Sequence, residues 1–384
     1  MNYLIGNDKK GYPDYFLLAA ILLLIVIGIL MVFSSSSTIA IYNFNNPIYY
    51  LKKQFIKLII SFVLMVALIK TDYDKIRKIT PYLLIISFLF LAALLLGIGA
   101  IEINGSRRWF KFPFFNFQPS ELMKLSLILY VAALIDKKGE KVGTFKDGFL
   151  PPFLIYLSAI VLIILEPDLS TSLLISIIVF IMLFIGGVKL MHIIYGAGFL
   201  GLLTGIQLLL NPYQLNRIKS FIDSDSGQSY QIKQSLIAIG NGGILGQGLG
   251  GSQSKNLYIP EPFTDFIFAI FSEEWGFIGV VIVLSIFIFI FYRGFKISSE
   301  APDKFGKLAA AGITISITLY GLIHAGVVSS LLPTTGLPMP FISYGGSSLL
   351  FSTISIGILL NISRSRASTQ KVKTIYKKNK KLKR

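Results

Sequence analysis

Long apolar runs alternate with short polar ones along this chain, and most of the runs are of bilayer length. Ten can be read, at residues 15–33, 54–69, 82–100, 120–135, 153–165, 169–187, 190–210, 263–292, 305–332 and 343–362. About 20 apolar residues build a helix ~30 Å long, the thickness of the hydrocarbon core of a bilayer. The fourth and fifth runs are short, and the eighth is long enough to tilt or to continue past the membrane. The pattern predicts an all-α, polytopic transmembrane protein of ten spans. It divides into an N-terminal segment at 1–14, one helical membrane domain at 15–362 and a tail at 363–384. The largest polar interruption, 211–262, separates the seventh and eighth runs.

Composition agrees, with 54% hydrophobic and 14% charged residues. The net charge of +17 comes from 36 basic and 19 acidic residues, but it does not point to nucleic acid, because it alternates with the loops. With the N-terminus inside, inner segments carry 25 Lys and Arg and outer segments 9. The positive-inside rule then places both termini in the cytoplasm and 211–262 outside. The first run reads as a span rather than a cleavable signal. Zero cysteines exclude disulfides and thiolate chemistry. The tail, with ten basic and no acidic residues from Arg364 on, reads as a disordered strip drawn to anionic lipid.

The run EPFTDFIFAIFSEE, 261–274, sets three acids against a greasy helix. Asp265 stands at its mouth, and Glu273 and Glu274 lie two to three turns further in. An ionised carboxylate in hydrocarbon costs a few kcal/mol on insertion scales, so it persists where it meets a cavity, a partner or a substrate. Glu261 precedes it in the loop. A helix N-terminus stabilises Asp265 as the anion, while desolvation and Glu261 push its pKa up. The sequence leaves that contest open.

Other polar motifs have two readings each. QPSELMKL, 118–125, puts Glu121 and Lys124 on one face of the fourth run, as a structural ion pair or as catalytic groups. NGSRRWFKF, 104–112, offers Arg107, Arg108 and Trp109 at the outer interface. Trp109 suits an interfacial anchor, and the two guanidinium forks suit diphosphate oxygens. EPD, 166–168, is a tight turn in which Asp168 caps the next helix. The glycine-rich run 238–262 follows QSLIAIG, an amphipathic helix, and reads as an ordered loop able to approach a ligand closely. LLPTTGLPMPFISYGGSS, 331–348, is uncharged irregular backbone at membrane depth, which must be buried in protein or line a cavity. His192 and His324 are isolated, and no zinc signature exists.

Together these runs resemble the SEDS proteins (shape, elongation, division and sporulation). QPSE with Lys124, EPD, RIKSF at Arg217, the glycine-rich loop, TDFIFA with Glu273 and Glu274, and LPTTGLPMPFISYGGSS occur in the family's order. The resemblance covers residues 12 to 363 and lies nearer the FtsW and SpoVE branch than RodA. Phe263, where many members have His, and Trp275, where Leu is usual, depart from it. The resemblance implies a peptidoglycan glycosyltransferase that polymerises lipid II on the outer face of the cytoplasmic membrane, with Asp265 as the essential carboxylate. A carboxylate can serve as general base for the attacking sugar hydroxyl. Cations must absorb charge on the prenyl diphosphate leaving group. Arg107, Arg108, Lys124, Arg217 or a divalent cation are the candidates. A lipid II flippase and a non-catalytic divisome scaffold are the alternatives. The resemblance also implies a class B penicillin-binding protein as crosslinking partner, alongside other divisome or elongasome membrane proteins.

Overall fold

A computed structural model describes residues 11–103, 106–112, 116–222, 230–256 and 258–382. The chain runs α1 (Tyr15–Phe44), α2 (Tyr49–Lys70), α3 (Tyr73–Leu95), β1 (Ala100–Ile103), β2 (Ser106–Lys111), β3 (Asn116–Phe117) and α4 (Pro119–Lys138). It continues through α5 (Leu150–Leu165), α6 (Leu169–Gly186), α7 (Leu190–Leu210), α8 (Pro212–Ile222) and α9 (Tyr230–Gly242). It ends with α10 (Ile267–Ser299), α11 (Lys304–Val328) and α12 (Ser347–Leu382).

Local chemistry starts these helices. Asp14 caps α1 by accepting from the Leu17 N–H at 3.1 Å, and Asp168 caps α6 through the Thr171 N–H at 3.3 Å, as its place in the EPD turn predicts. Pro119 opens α4, where its missing N–H costs nothing. Helix α3 begins before Pro81 and carries it in its interior, nine residues earlier than the apolar run alone predicts.

Eight helices are apolar and long enough to cross a bilayer. The second and fourth expected spans form as helices α2 and α4, of 22 and 20 residues, but do not reach that standard because charge interrupts them. Lys52, Lys53 and Lys57 stand in α2, and Glu121 and Lys124 in α4. Helix α4 is sheltered by its neighbours and buried along most of its length, whereas α2 buries only Gln54, Lys57, Ser61 and Met65 and leaves Lys52 and Lys53 exposed near its start. Helices α11 and α12 form the centre, while α7 buries little beyond Ile193, Gly196 and Leu200 and offers Phe199, Leu202 and Leu209 outward. An apolar exterior around a satisfied helical backbone is what lipid requires.

The fold is all-α and polytopic, as the sequence predicts, with one small addition. Strands β1, β2 and β3 form an antiparallel sheet in that order, with Ile103 opposite Ser106 and Ile101 opposite Trp109. The tail, expected as a disordered strip, continues α12 as far as Leu382, since no glycine or proline after Ser363 stops it. Its side chains beyond Ser365 lie outside the described residues, as do Lys9 and Lys10.

At the end of the bundle away from Asp265, ion pairs lock the helices. Arg293 of α10 grips Asp14 at 2.5 Å, and Arg77 of α3 bridges Asp136 and Asp303.

Candidate functional site

Asp265 sits in the turn just before α10, half-buried. Two other segments frame it. The 333–346 loop docks on its backbone, Ser343 Oγ donating to the Thr264 carbonyl at 2.8 Å and the Tyr344 N–H to the Phe263 carbonyl at 2.8 Å. Gly336 of that loop, with φ of +70°, lies so close that a Cβ there would stand 3.6 Å from Asp265 Oδ2. Arg217 of α8 holds the same loop, its Nε donating to Thr334 Oγ1 at 3.0 Å and its Nη2 to the Thr334 carbonyl.

No hydrogen bond reaches the Asp265 carboxyl from the described residues. Burial pushes its pKa from the ordinary 3.8 up to about 6, with Glu261 adding to the rise and Arg217 opposing it. Desolvation is thus the largest influence on this carboxyl, ahead of Glu261 and Arg217. Glu261 is exposed and holds a left-handed φ of 49°, its carbonyl accepting from Thr264 Oγ1 at 3.0 Å. The mouth of α10 thus brings together Asp265, Glu261 and Arg217 of the residues expected from sequence. It adds Thr334 and Gly336, which the sequence shows only as part of an uncharged proline-rich run.

The other expected residues belong to separate clusters. Glu121 and Lys124 pair at 2.6 Å, both buried. Tyr320 of α11 donates to Glu121 Oε1 at 3.2 Å and offers its ring face to Lys124 Nζ at 3.9 Å. Lys124 and Tyr320 line a small crevice with Ser316, Pro340, Ser352 and Ser355, so the pair lies behind the same proline-rich loop. Tyr320 carries no sequence signal of its own. Its partner is 199 residues away.

Glu273 is fully engaged with the glycine-rich loop. It accepts from Ser252 Oγ, the Gln253 N–H at 3.3 Å and the Ser254 N–H at 3.2 Å. Next to it, Glu274 accepts from Ser34 Oγ of α1 at 2.5 Å and from Lys255 Nζ at 3.1 Å. The helix breaks at Gly276, φ 64°, where the Phe277 N–H turns to the Gly243 carbonyl at 2.9 Å. Gly246 is required there: a Cβ would fall 2.2 Å from the Glu274 carbonyl oxygen.

Arg107 and Arg108 part company. Arg107 is exposed and pairs with Glu102 at 3.3 Å. Arg108 reaches across to the EPD turn, donating to the carbonyls of Glu166, at 3.1 Å, and Pro167, with Asp168 at 4.0 Å. Burial, aided by Asp168, pushes the Glu166 carboxyl up to about 9 against Arg108. Trp109 stays on β2 opposite Ile101. Among the described residues no group of three His, Asp or Glu is placed to hold a metal ion.

The FtsW/RodA/SpoVE pattern of cell cycle proteins matches residues 15–368. The chain belongs to this family. Similar members include stage V sporulation protein E of Bacillus subtilis, 40% identical over 93% of this chain and 99% of that protein. The probable peptidoglycan glycosyltransferase FtsW of Trichlorobacter lovleyi is 39% identical over 91% and 93%. A chain of a peptidoglycan synthase complex, described as structurally coordinating polymerization and crosslinking, superposes with a TM-score of 0.76 at 28% identity, covering 92% and 98%. The rod shape determining protein RodA of Thermus thermophilus does so at 0.68 and 25%, covering 95% and 99%. The family's fold therefore extends over nearly the whole chain.

Proposed function

We propose that this protein is a peptidoglycan glycosyltransferase that polymerises lipid II into glycan strands, with Asp265 as general base. The observation that carries the reading is the Asp265 carboxyl, set at the mouth of a membrane helix with its pKa raised to about 6. A base with a pKa just below the working pH is both largely ionised and still basic. In the step proposed, the acceptor sugar hydroxyl attacks the anomeric carbon of the donor. The new glycosidic C–O bond forms as the anomeric C–O bond to the prenyl diphosphate breaks. Asp265 takes the hydroxyl proton, and the leaving diphosphate keeps the electron pair.

Arg217 is the cation nearest this chemistry by its electrostatic effect on Asp265. It suits the growing diphosphate charge. A divalent cation fits in one respect: Mg²⁺ is commonly held by one or two carboxylates plus substrate phosphates, and Asp265 and Glu261 supply two. Bound, it would add Lewis-acid stabilisation of the diphosphate.

The proposed arrangement has ten spans, with α2 and α4 completing the eight apolar helices. Both termini are cytoplasmic, and the 211–262 loop and Asp265 face outward across the cytoplasmic membrane. The count of Lys and Arg on the two sides supports it. A class B penicillin-binding protein is the proposed crosslinking partner, supported by the synthase complex whose chain this one resembles. Other divisome or elongasome proteins belong to the same reading.

Purified protein with that partner, supplied with lipid II in detergent, is expected to yield glycan polymer. Folded protein that moves lipid II between leaflets of vesicles without making polymer overturns the enzyme reading in favour of a flippase. The orientation has its own check in this cysteine-free chain. Cysteine at exposed Gln253 is expected to react with an impermeant maleimide in spheroplasts, and cysteine at Glu140 is not. The reverse pattern rejects the orientation. Ser252, next to Gln253, is unsuitable because it is buried against Glu273.

A further inference from the structure

We propose that the turn at 243–249, in the glycine-rich loop, is a membrane-inserted wedge seated among the acyl chains of the leaflet on the Asp265 side. Its backbone enters the hydrogen-bond ladder of α10. In an unbroken helix the Phe277 and Ile278 N–H groups would donate to the carbonyls of Glu273 and Glu274, one turn earlier. Here they donate instead to the carbonyls of Gly243, at 2.9 Å, and Ile244, at 3.2 Å. The two freed carbonyls accept from the Gln247 N–H, at 2.9 Å, and the Gly248 N–H, at 3.0 Å. The loop thus fills the break at Gly276, and bonds within the helix become bonds between helix and loop. Irregular backbone satisfied by protein in this way is tolerated at membrane depth.

Two polar levels shared by α1 and α10 set the depth. At one end Asp14, the cap of α1, holds Arg293 at 2.5 Å. At the other, Ser34 of α1 donates to Glu274 at 2.5 Å, and a run of serines opens there. The two levels are about 30 Å apart along α1 and about 28 Å apart along α10, at ~1.5 Å per residue. The hydrocarbon core of a bilayer is ~30 Å thick, so the two levels mark its faces. Gln247 and Gly248, bonded at Glu273 and Glu274, lie at the face on the Asp265 side. Ile244, bonded at Ile278, lies about 6 Å further in, one turn of α10.

The side chains of the turn suit that depth. Ile244 is 68% exposed, Leu245 80% and Leu249 62%, and an apolar patch of this kind marks a protein or membrane contact. Here it continues the exposed apolar face of α10 formed by Phe277, Ile278 and Ile282, which faces lipid. From Gly240 to Ser254 the loop carries no charge. The first charge after it, Lys255, is drawn inward to Glu274 at 3.1 Å. The lipid contact bears on the glycine-rich loop as a whole, because residues 252–254 are the ones bonded to Glu273.

Single cysteines in this cysteine-free chain report depth. Full-length protein in phosphatidylcholine–phosphatidylglycerol nanodiscs carries an NBD fluorophore at Leu245→Cys or at Gln253→Cys, the latter at an exposed polar position of the same loop. Doxyl groups high on the lipid acyl chains are expected to quench the Leu245→Cys label strongly. Aqueous iodide is expected to quench it at least fivefold less than the Gln253→Cys label. Iodide quenching of the two labels within twofold of each other puts the turn in water and overturns the proposal. A label at 245 that neither reagent reaches puts the turn under protein and overturns it too. Leu249→Cys carries the same comparison if Leu245→Cys does not fold. Doxyl quenching is expected to persist in the complex with the proposed penicillin-binding partner. Its loss there gives this face to the partner and rejects acyl chains as the occupant.

Discussion

Asp265 and Glu273 lie eight residues apart on one run of sequence, and the fold treats them in opposite ways. Glu273 is buried and meets a hydroxyl and two backbone N–H groups of the glycine-rich loop. Asp265, at the rim, faces a glycine and a cation that is itself holding Thr334. The Glu121–Lys124 pair belongs with Glu273, since its ammonium and carboxylate satisfy each other at 2.6 Å. The hydrogen bonds of Glu273 and the ion pair of Glu121 tie both carboxylates to their neighbours. Asp265 is desolvated, receives no hydrogen bond from the described residues and has its pKa raised. On the function proposed above, the difference separates acids that hold the structure from the one that reacts.

The strongest way to break that contrast is Asp265→Asn. It preserves shape and removes the base, so polymerisation of lipid II should fall by roughly 10²–10⁴-fold, the usual contribution of a general base. Expression and co-purification with the penicillin-binding partner should stay near wild type. Near-normal polymer from folded Asn variant would return Glu273 or Glu121 to candidacy. Glu261→Gln, on the exposed loop, should be milder.

The ion pair comes next. Removing one partner of a buried pair leaves an uncompensated charge, typically at a cost of about 3–5 kcal/mol. Glu121→Gln and Lys124→Met should each lower folded yield more than the double substitution does. Strictly additive losses would show that the two charges do not rely on each other. A double variant that folds well but makes no polymer would move the pair from the structural side of the comparison to the catalytic one.

Glu273→Ala should cost on the order of 3 kcal/mol, because it strands the donors of residues 252–254. The loss should appear as a lower melting temperature and as faster proteolysis within 243–256, with activity falling only in step with folded fraction. If activity vanishes while melting and proteolysis stay unchanged, Glu273 is not a loop anchor.

How much of this was legible in the sequence follows from where the partners come from. The membrane helices, the Asp168 cap and the acid at the mouth of α10 are local patterns, and periodicity or spacing exposes them. Glu273 reads as a candidate catalyst until Ser252 is seen against it, and Ser252 arrives from a loop 21 residues earlier. Arg108 reads as a phosphate clamp, yet its partners are carbonyls 58 and 59 residues away. The small sheet hides because strands of four, six and two residues leave no clear alternation. Asn104-Gly105, a two-residue turn signal, was the available clue. Charge within α2 and α4 lowers their apolar character; in α4 the Glu121–Lys124 pair and the surrounding helices explain why it is tolerated, while Lys52 and Lys53 of α2 stay exposed near its start.

The smallest expected effect bears most directly on why Asp265 differs from its neighbours. Its carboxyl is raised from 3.8 to about 6, chiefly by burial, so the native state holds its proton more tightly than the unfolded chain does. For such a group the stabilising contribution is fully present below pH 3.8 and is lost as pH rises through about 6. At pH 8 the ionised carboxylate is therefore a burden on the fold. The full difference corresponds to about 3 kcal/mol, and solvent contact at the rim reduces it to on the order of 1 kcal/mol. Asp265→Asn should melt slightly above wild type at pH 8, and the gap should close as pH falls toward 4. Equal melting of wild type and Asp265→Asn at pH 8 would mean that Asp265 carries no desolvation strain. Its basicity would then need another source.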